Sequence, residues 1–330
     1  MSKLHFPNGV YSVLPTPFND DETINYDDIT AWYYHQTACE LVILGTTSES
    51  PNLSREEQLN IVKYISNINY TSLSPKFLVV GVGGINTKET AEFALECINY
   101  CDALMVTVPA YVKPTQNGIV KHFNKICNQE QLKDTPIIMY NVPGRASVNM
   151  EPKTMKQVCE TCPNVVAVKE ASGSIDQLIE IKRLVPNLQV FAGDDKLVLD
   201  FMIHGACGLI SVASNVFPNL VSDIVKLCLI NEFVLARDMF YQSKFPQFVN
   251  ALFSESNPIP VKYAMYWIDV YSTFNMIGPM TELSVEKRDQ VKEAINEINS
   301  YSELPELESI PENHEYNEKK EHDVLPKLNM

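Results

Sequence analysis

The sequence predicts a closed (β/α)8 TIM barrel followed by a C-terminal helical extension, and three observations carry that prediction. Eight short apolar runs rich in Val and Ile recur through residues 1–230. Their near-continuous hydrophobicity is the pattern of parallel strands covered by helices, not the strict alternation of a sheet with one wet face. The stretches between them are amphipathic, and no break rich in Gly, Ser or Pro divides the series. An open doubly wound sheet shares this rhythm, but eight unbroken strand-helix units favour closure.

Taken in order, the expected strands are 9–14, 41–45, 77–83, 103–108, 136–141, 165–169, 189–192 and 207–212. The helices between them announce their starts. Ser54 ahead of Glu56 and Glu57 reads as an N-cap with acids in the first turn, Thr87 precedes Glu89, and Pro152 suits the first helical position. After the eighth strand and its helix, helical stretches near 232–253, 261–271 and 284–301 exceed what a plain barrel needs, so residues 231–302 read as a helical domain packed on a catalytic barrel of 1–230. From Glu303 to Met330 the chain carries eight acids, three lysines and prolines at 305, 311 and 326, and this segment is expected to be a disordered acidic tail.

Composition narrows the function. A net charge of −15 repels phosphate backbones and anionic lipid, which argues against a nucleic-acid or membrane-surface partner. No uncharged apolar run approaches the roughly 18 residues a spanning helix requires, and the first residues carry no apolar signal core, so a cytosolic location is the expectation. The eight cysteines fall mostly inside apolar segments and read as reduced core residues. Cys159 and Cys162 form one isolated Cys-x-x-Cys without a second pair or a nearby histidine, and no metal site is expected.

Catalytic groups of a barrel gather at the C-terminal ends of its strands. Those ends hold Thr46, Thr47 and Glu49 after strand two, Tyr111 after strand four, and Tyr140 with Arg145 at strand five. Strand six closes on Lys169 and Glu170, strand seven on Gly193, Asp194 and Asp195, and strand eight contains Ile210. Lys169 is the most informative, because it follows Val165-Val166-Ala167-Val168 with no intervening charge. An ordinary lysine, with a pKa of about 10.4, is the free amine in only about one molecule in 2,500 at pH 7. Desolvation inside a barrel raises that fraction and lets the amine attack a carbonyl. Tyr140 on the adjacent strand offers a phenol for proton transfer, relayed by Thr46, Thr47 and Tyr111, and the planar fork of Arg145 suits a carboxylate. Asp194 and Asp195 read as caps of the next helix rather than as paired acids.

These residues resemble the class I pyruvate aldolases typified by dihydrodipicolinate synthase and N-acetylneuraminate lyase. The resemblance runs from about residue 9 to 301. It rests on Gly45-Thr46-Thr47-x-Glu49-Ser50, Tyr140-Asn141-Val142-Pro143-Gly144-Arg145, Val168-Lys169-Glu170-Ala171-Ser172-Gly173, Gly193-Asp194-Asp195 and Asn257-Pro258-Ile259-Pro260-Val261-Lys262. It implies a homotetramer or homodimer that uses neither metal nor organic cofactor. It further implies that Lys169 forms a Schiff base with pyruvate, that Tyr140 shuttles protons, and that Thr46 links Tyr140 to a Tyr111 brought by a neighbouring subunit. Thr47 would hold the pyruvate carboxylate, with the backbone at Ile210 and Gly193 facing the ketoacid.

Three positions favour the synthase within this family: Arg145, matching the residue that binds the carboxylate of aspartate semialdehyde, Ala171 in place of a lyase threonine, and the Gly193-Asp194-Asp195 run. A sialic acid lyase or a 2-keto-3-deoxy sugar acid aldolase is the alternative enzyme, and a catalytically silent ketoacid-binding homologue the alternative outside enzymes. Ser48 stands where the family has glycine, Ala146 follows Arg145 in place of threonine, and Ala110 replaces a tyrosine. Arg55, Gln58 and Ile85 differ from the residues of lysine-inhibited synthases, so feedback inhibition by lysine is not expected.

Overall fold

The computed structural model describes Leu4 and residues 6–301, and the tail expected at 303–330 lies outside the described residues. Eight parallel strands close on themselves in sequence order. They are β1 Gly9–Val13, β2 Glu40–Ile43, β3 Leu78–Val82, β4 Ala103–Thr107, β5 Ile137–Asn141, β6 Val165–Glu170, β7 Gln189–Ala192 and β8 Gly208–Ser211. The helices are α1 Tyr26–His35, α2 Arg55–Thr71, α3 Thr87–Cys97, α4 Gln116–Cys127, α5 Pro143–Ala146, α6 Pro152–Thr161, α7 Ile175–Leu184, α8 Val198–Ile203 and α9 Pro218–Leu229, then α10 Phe233–Gln242, α11 Phe245–Leu252, α12 Ile259–Trp267 and α13 Val285–Asn299. The expected barrel is the one observed, β1 pairing with β8 through Gly9–Gly208 and Tyr11–Ile210.

Successive residues of a strand face opposite sides of the sheet, and this sorts the apolar residues into two cores. Val42, Val79, Met105, Ile138, Tyr140, Ala167 and Ile210 belong to the cluster that fills the barrel. Their strand neighbours Leu41, Val80, Val106, Met139, Val168 and Leu209 pack outward in the larger cluster against the helices. Within the barrel, Phe6 stacks on Tyr11 with ring centroids 5.0 Å apart and meets Phe191 edge-on at 5.0 Å. Gly81 is required by proximity, since a Cβ there would lie 2.4 Å from the carbonyl oxygen of Leu44.

Local signals explain most helix starts. Ser54 and Glu57 form a reciprocal capping box, the Ser54 hydroxyl accepting from Glu57 N at 3.2 Å while Glu57 accepts from Ser54 N at 2.8 Å. Pro152 occupies the first turn of α6 as expected. At α3 the cap is Asn86, whose side chain accepts from Lys88 N and Glu89 N, and Thr87 is the first helical residue. The stretch expected at 232–253 is broken into α10 and α11 at Lys244, which takes a left-handed φ of 62°. The break lets α10 pack on α8 and α9 while α11 lies against α13 and the 213–215 turn. Among the described residues, no helix is long and apolar enough to cross a membrane.

His122 joins α3 to α4, its Nδ1 lying 2.9 Å from the Thr87 hydroxyl, and burial lowers its pKa to about 4. An unfolded histidine, near 6.5, binds a proton that the folded one refuses, so stability is retained above 6.5 and lost as the pH falls towards 4. Chemical denaturation of the wild type and His122→Phe between pH 7 and 4 is expected to separate the two proteins. The histidine's share of the acid loss should be about 3 kcal/mol.

Candidate active site

Lys169 is the penultimate residue of β6 and lies on the inner face two positions beyond Ala167. It pairs in register with Tyr140 of β5 and Phe191 of β7. The lysine is 6% exposed and Tyr140 5%, and Nζ stands 4.5 Å from the centroid of the Tyr140 ring. A cation over an aromatic face is held electrostatically in this geometry. Among the described residues, no hydrogen bond engages Lys169 Nζ, the Tyr140 hydroxyl or the Thr46 hydroxyl. The Thr46–Tyr140 link that the family resemblance implies is therefore not formed within this chain.

The loop after β2 turns tightly, with Leu44 and Glu49 in left-handed conformations at φ 56° and 54°. Ser48 N bonds Gly45 O at 3.1 Å and Glu49 N bonds Thr46 O at 3.0 Å. This leaves Thr46 half-buried and Thr47 buried. The Thr47 oxygen accepts from Asn257 Nδ2 at 3.0 Å. Ser48 does not narrow the site, because its hydroxyl turns away to donate to Leu14 O at 2.6 Å while its carbonyl accepts from Thr16 at 2.8 Å.

The remaining residues singled out in the sequence fall at the same rim or beside it. Arg145, on the single turn of α5, is exposed and donates from Nη2 to the carbonyl oxygen of Asn257 at 3.1 Å. Ile210 is 1% exposed in the barrel interior. Gly193 N bonds Glu170 O at 2.9 Å, and a Cβ at Gly193 would lie 2.6 Å from that of Ala171, so only glycine lets the β7 end approach β6 this closely. Tyr111 stands apart, 82% exposed with a left-handed φ of 68°.

Asp194 caps the turn that follows it, accepting from Lys196 N at 2.9 Å. Asp195 does not cap it. Its buried carboxylate accepts from the Ser211 hydroxyl at 2.5 Å, Val212 N at 3.0 Å and Ala213 N at 3.3 Å, clamping the chain just past Ile210. Burial raises its pKa, and these hydrogen bonds oppose the rise. Among the described residues, no three His, Cys, Asp or Glu side chains converge as a metal site.

The sequence reading assigned no role to Asn257, Glu49 or Lys262, although it singled out the motifs that contain them. Lys262 of α12 is fully buried and bonds Glu49 Oε1 at 3.0 Å, with its ammonium 4.2 Å from the Phe18 ring centroid. Burial pushes Lys262 down to about 8 against the pull of Glu49, and raises the Glu49 carboxyl against the pull of Lys262. With the Asn257–Thr47 bond, the pair straps the C-terminal helices to the β2 loop. The available signal was a lone charge in the otherwise apolar run Ile259-Pro260-Val261-Lys262-Tyr263-Ala264.

The comparisons with known proteins fit this arrangement. The model of the dihydrodipicolinate synthetase family matches residues 6–298. The 4-hydroxy-tetrahydrodipicolinate synthase of Endomicrobium trichonymphae is 34% identical over 88% of this chain and 98% of its own. That of Thermosipho melanesiensis is 37% identical over 78% and 87%. The crystal structure of dihydrodipicolinate synthase from Aquifex aeolicus superposes with a TM-score of 0.83 at 32% identity, covering 88% of this chain and 98% of that one. Fold and relatives together define a (β/α)8-barrel lyase. The chain belongs to the dihydrodipicolinate synthetase family, as its motifs implied.

Removing one member of a buried ion pair strands the other charge. Lys262→Met is expected to lower the unfolding free energy in urea by about 3–5 kcal/mol, and Lys262→Met with Glu49→Leu to recover part of that loss.

Proposed function

We propose that the chain is a Schiff-base aldolase that condenses pyruvate with aspartate semialdehyde to give (4S)-4-hydroxy-2,3,4,5-tetrahydrodipicolinate. The observation that carries this reading is a primary amine, 6% exposed, standing 4.5 Å from a tyrosine ring at the C-terminal mouth of the barrel. The amine of Lys169 adds to the ketone of pyruvate. Loss of water, with a proton supplied by the Tyr140 phenol, leaves a protonated imine and a phenolate. The imine withdraws electrons from the neighbouring methyl group, whose proton returns to Tyr140 as the enamine forms. The enamine carbon then bonds to the aldehyde carbon, Tyr140 protonates the new alkoxide, and the amino group of the former semialdehyde attacks the imine carbon, closing the ring, expelling the Lys169 amine and returning a proton to Tyr140.

The hydrogen bonds around the site support a place for each carboxylate. Thr47 already accepts from Asn257, so its own O–H is free to donate to the carboxylate of pyruvate. Arg145 spends one N–H on Asn257 O, and the rest of its fork can take the carboxylate of the semialdehyde. The backbone at Gly193 and Ile210 borders the ketoacid, and no metal or organic cofactor enters any step. Residues 1–230 form the catalytic unit and 231–302 its helical support. Tyr111, exposed with Val112 beside it, reaches Thr46 across an interface in a homodimer or homotetramer. All eight thiols are unpaired, which suits the reducing cytosol.

Borohydride reduction in the presence of pyruvate, followed by peptide mass analysis, is expected to find the adduct on Lys169 and none in Lys169→Ala. Absence of an adduct in the wild type would end the aldolase reading. Arg145→Ala is expected to reduce kcat/KM for aspartate semialdehyde by about 10- to 100-fold while pyruvate trapping stays near wild type. Equal loss of both steps would contradict the role given to Arg145.

A further inference from the structure

Lys169 and Tyr140 pair across β5 and β6, and the next pair in the same register is Asn141 with Glu170. Strand alternation turns this second pair outward, away from the barrel interior. Both residues are completely buried. Asn141 Nδ2 donates to Glu170 Oε2 at 3.0 Å and Oε1 at 3.2 Å. Ser172 N adds a bond to Oε1 at 2.7 Å, and Gln177 Nε2 of α7 one to Oε2 at 2.9 Å. Asn141 in turn donates to Asn149 Oδ1 at 2.8 Å and accepts from Met150 N at 2.9 Å, and Asn149 Nδ2 bonds Gln177 Oε1 at 2.8 Å. Glu170 takes part in none of the ion pairs among the described residues.

A buried carboxylate with no cation beside it is costly unless every lone pair is engaged. Here the donors come from β5, α7 and the strand's own loop, and they fix the rotation of both strands about their axes at one level. We propose that Glu170 and Asn141 are positioning residues for the proton-transfer step, locking β5 against β6 so that the Tyr140 hydroxyl stays aimed at the carbon next to the Lys169 imine. The inference rests on the Schiff-base reading above. Imine formation tolerates small errors because a proton from solvent can stand in for that of Tyr140 when the adduct loses water. Transfer of the methyl proton needs the phenol and the imine in fixed relation, and a misplacement of about 1 Å there costs about 100-fold.

The test separates the two steps on the intact protein. Glu170→Gln keeps the size of the side chain but sets an NH2 against donors that already converge on it. Trapping of the pyruvate adduct on Lys169 is expected to stay near wild type. Exchange of deuterium from D2O into the pyruvate methyl group is expected to fall about 10- to 100-fold. Asn141→Asp combined with Glu170→Gln reverses donor and acceptor, restores a bond between the strands, and is expected to recover a substantial part of the exchange rate. Gln177→Leu, which leaves the Asn141–Glu170 bond in place, serves if the first variant does not fold, with a smaller loss of exchange and normal trapping. Wild-type exchange in the folded variants, or loss of trapping and exchange in equal proportion, would overturn the proposal. A wild-type protein that forms no adduct would overturn the Schiff-base reading and this inference with it.

Discussion

A strand shows successive side chains to opposite faces, and a closed barrel leaves one of those faces nowhere to go but inward. The rest of the molecule depends on that constraint. It carries Ala167 and Lys169 into one enclosed column, beside Ile138 and Tyr140, while Val168 and Glu170 turn to the helix layer. A displacement of β6 by one residue would exchange the amine for a carboxylate and abolish the chemistry. The register at the β5–β6 boundary is therefore a functional quantity, and the polar bonds outside the barrel act on the groups inside it.

The C-terminal helices serve the same end from the other side. Asn257 reaches Thr47 with its amide and Arg145 with its carbonyl, so one residue touches the groups assigned to two different substrate carboxylates. Lys262, on the next helix, anchors this segment by its bond to Glu49. The Ser48 hydroxyl in the same loop is taken up by Leu14 O, just after β1.

How far the sequence was legible depended on the distance over which each signal acts. The strands were readable because burial on both faces writes an apolar run wherever a strand occurs, and Ser54 was readable because its cap is completed three residues later. Thr87 marked the first residue of α3, and the cap itself is Asn86, whose side chain reaches two backbone N–H groups. The break at Lys244 did have a local marker, Pro246 in the first turn of α11, and it frees α10 and α11 to pack on different partners. Asp195 looked like a cap by its place after Gly193, yet its partners are 16 to 18 residues away. The bond of Asn257 to Thr47 spans 210 residues, and only the assembled barrel brings the two together. Lys169 and Tyr140 were legible because each ends an apolar run, which fixes both the strand and the end of it.

Charge poses one last question, because the proposed substrates both carry a carboxylate and the protein carries a net charge of −15. At physiological ionic strength a charge is felt over about 8 Å, so the total matters less than the few groups around the mouth. Glu49 is paired with Lys262 and shielded from water, and Glu170 and Asp195 have their oxygens taken up by N–H and O–H donors on the outer side of the strands. Arg145 is exposed at the rim, and Lys169 lies inside. These three buried carboxylates are thus engaged by their own partners, while the Arg145 guanidinium stands exposed at the rim. A site for carboxylates can persist in an acidic protein on those terms, since strand parity and hydrogen bonding decide which charges the substrate meets.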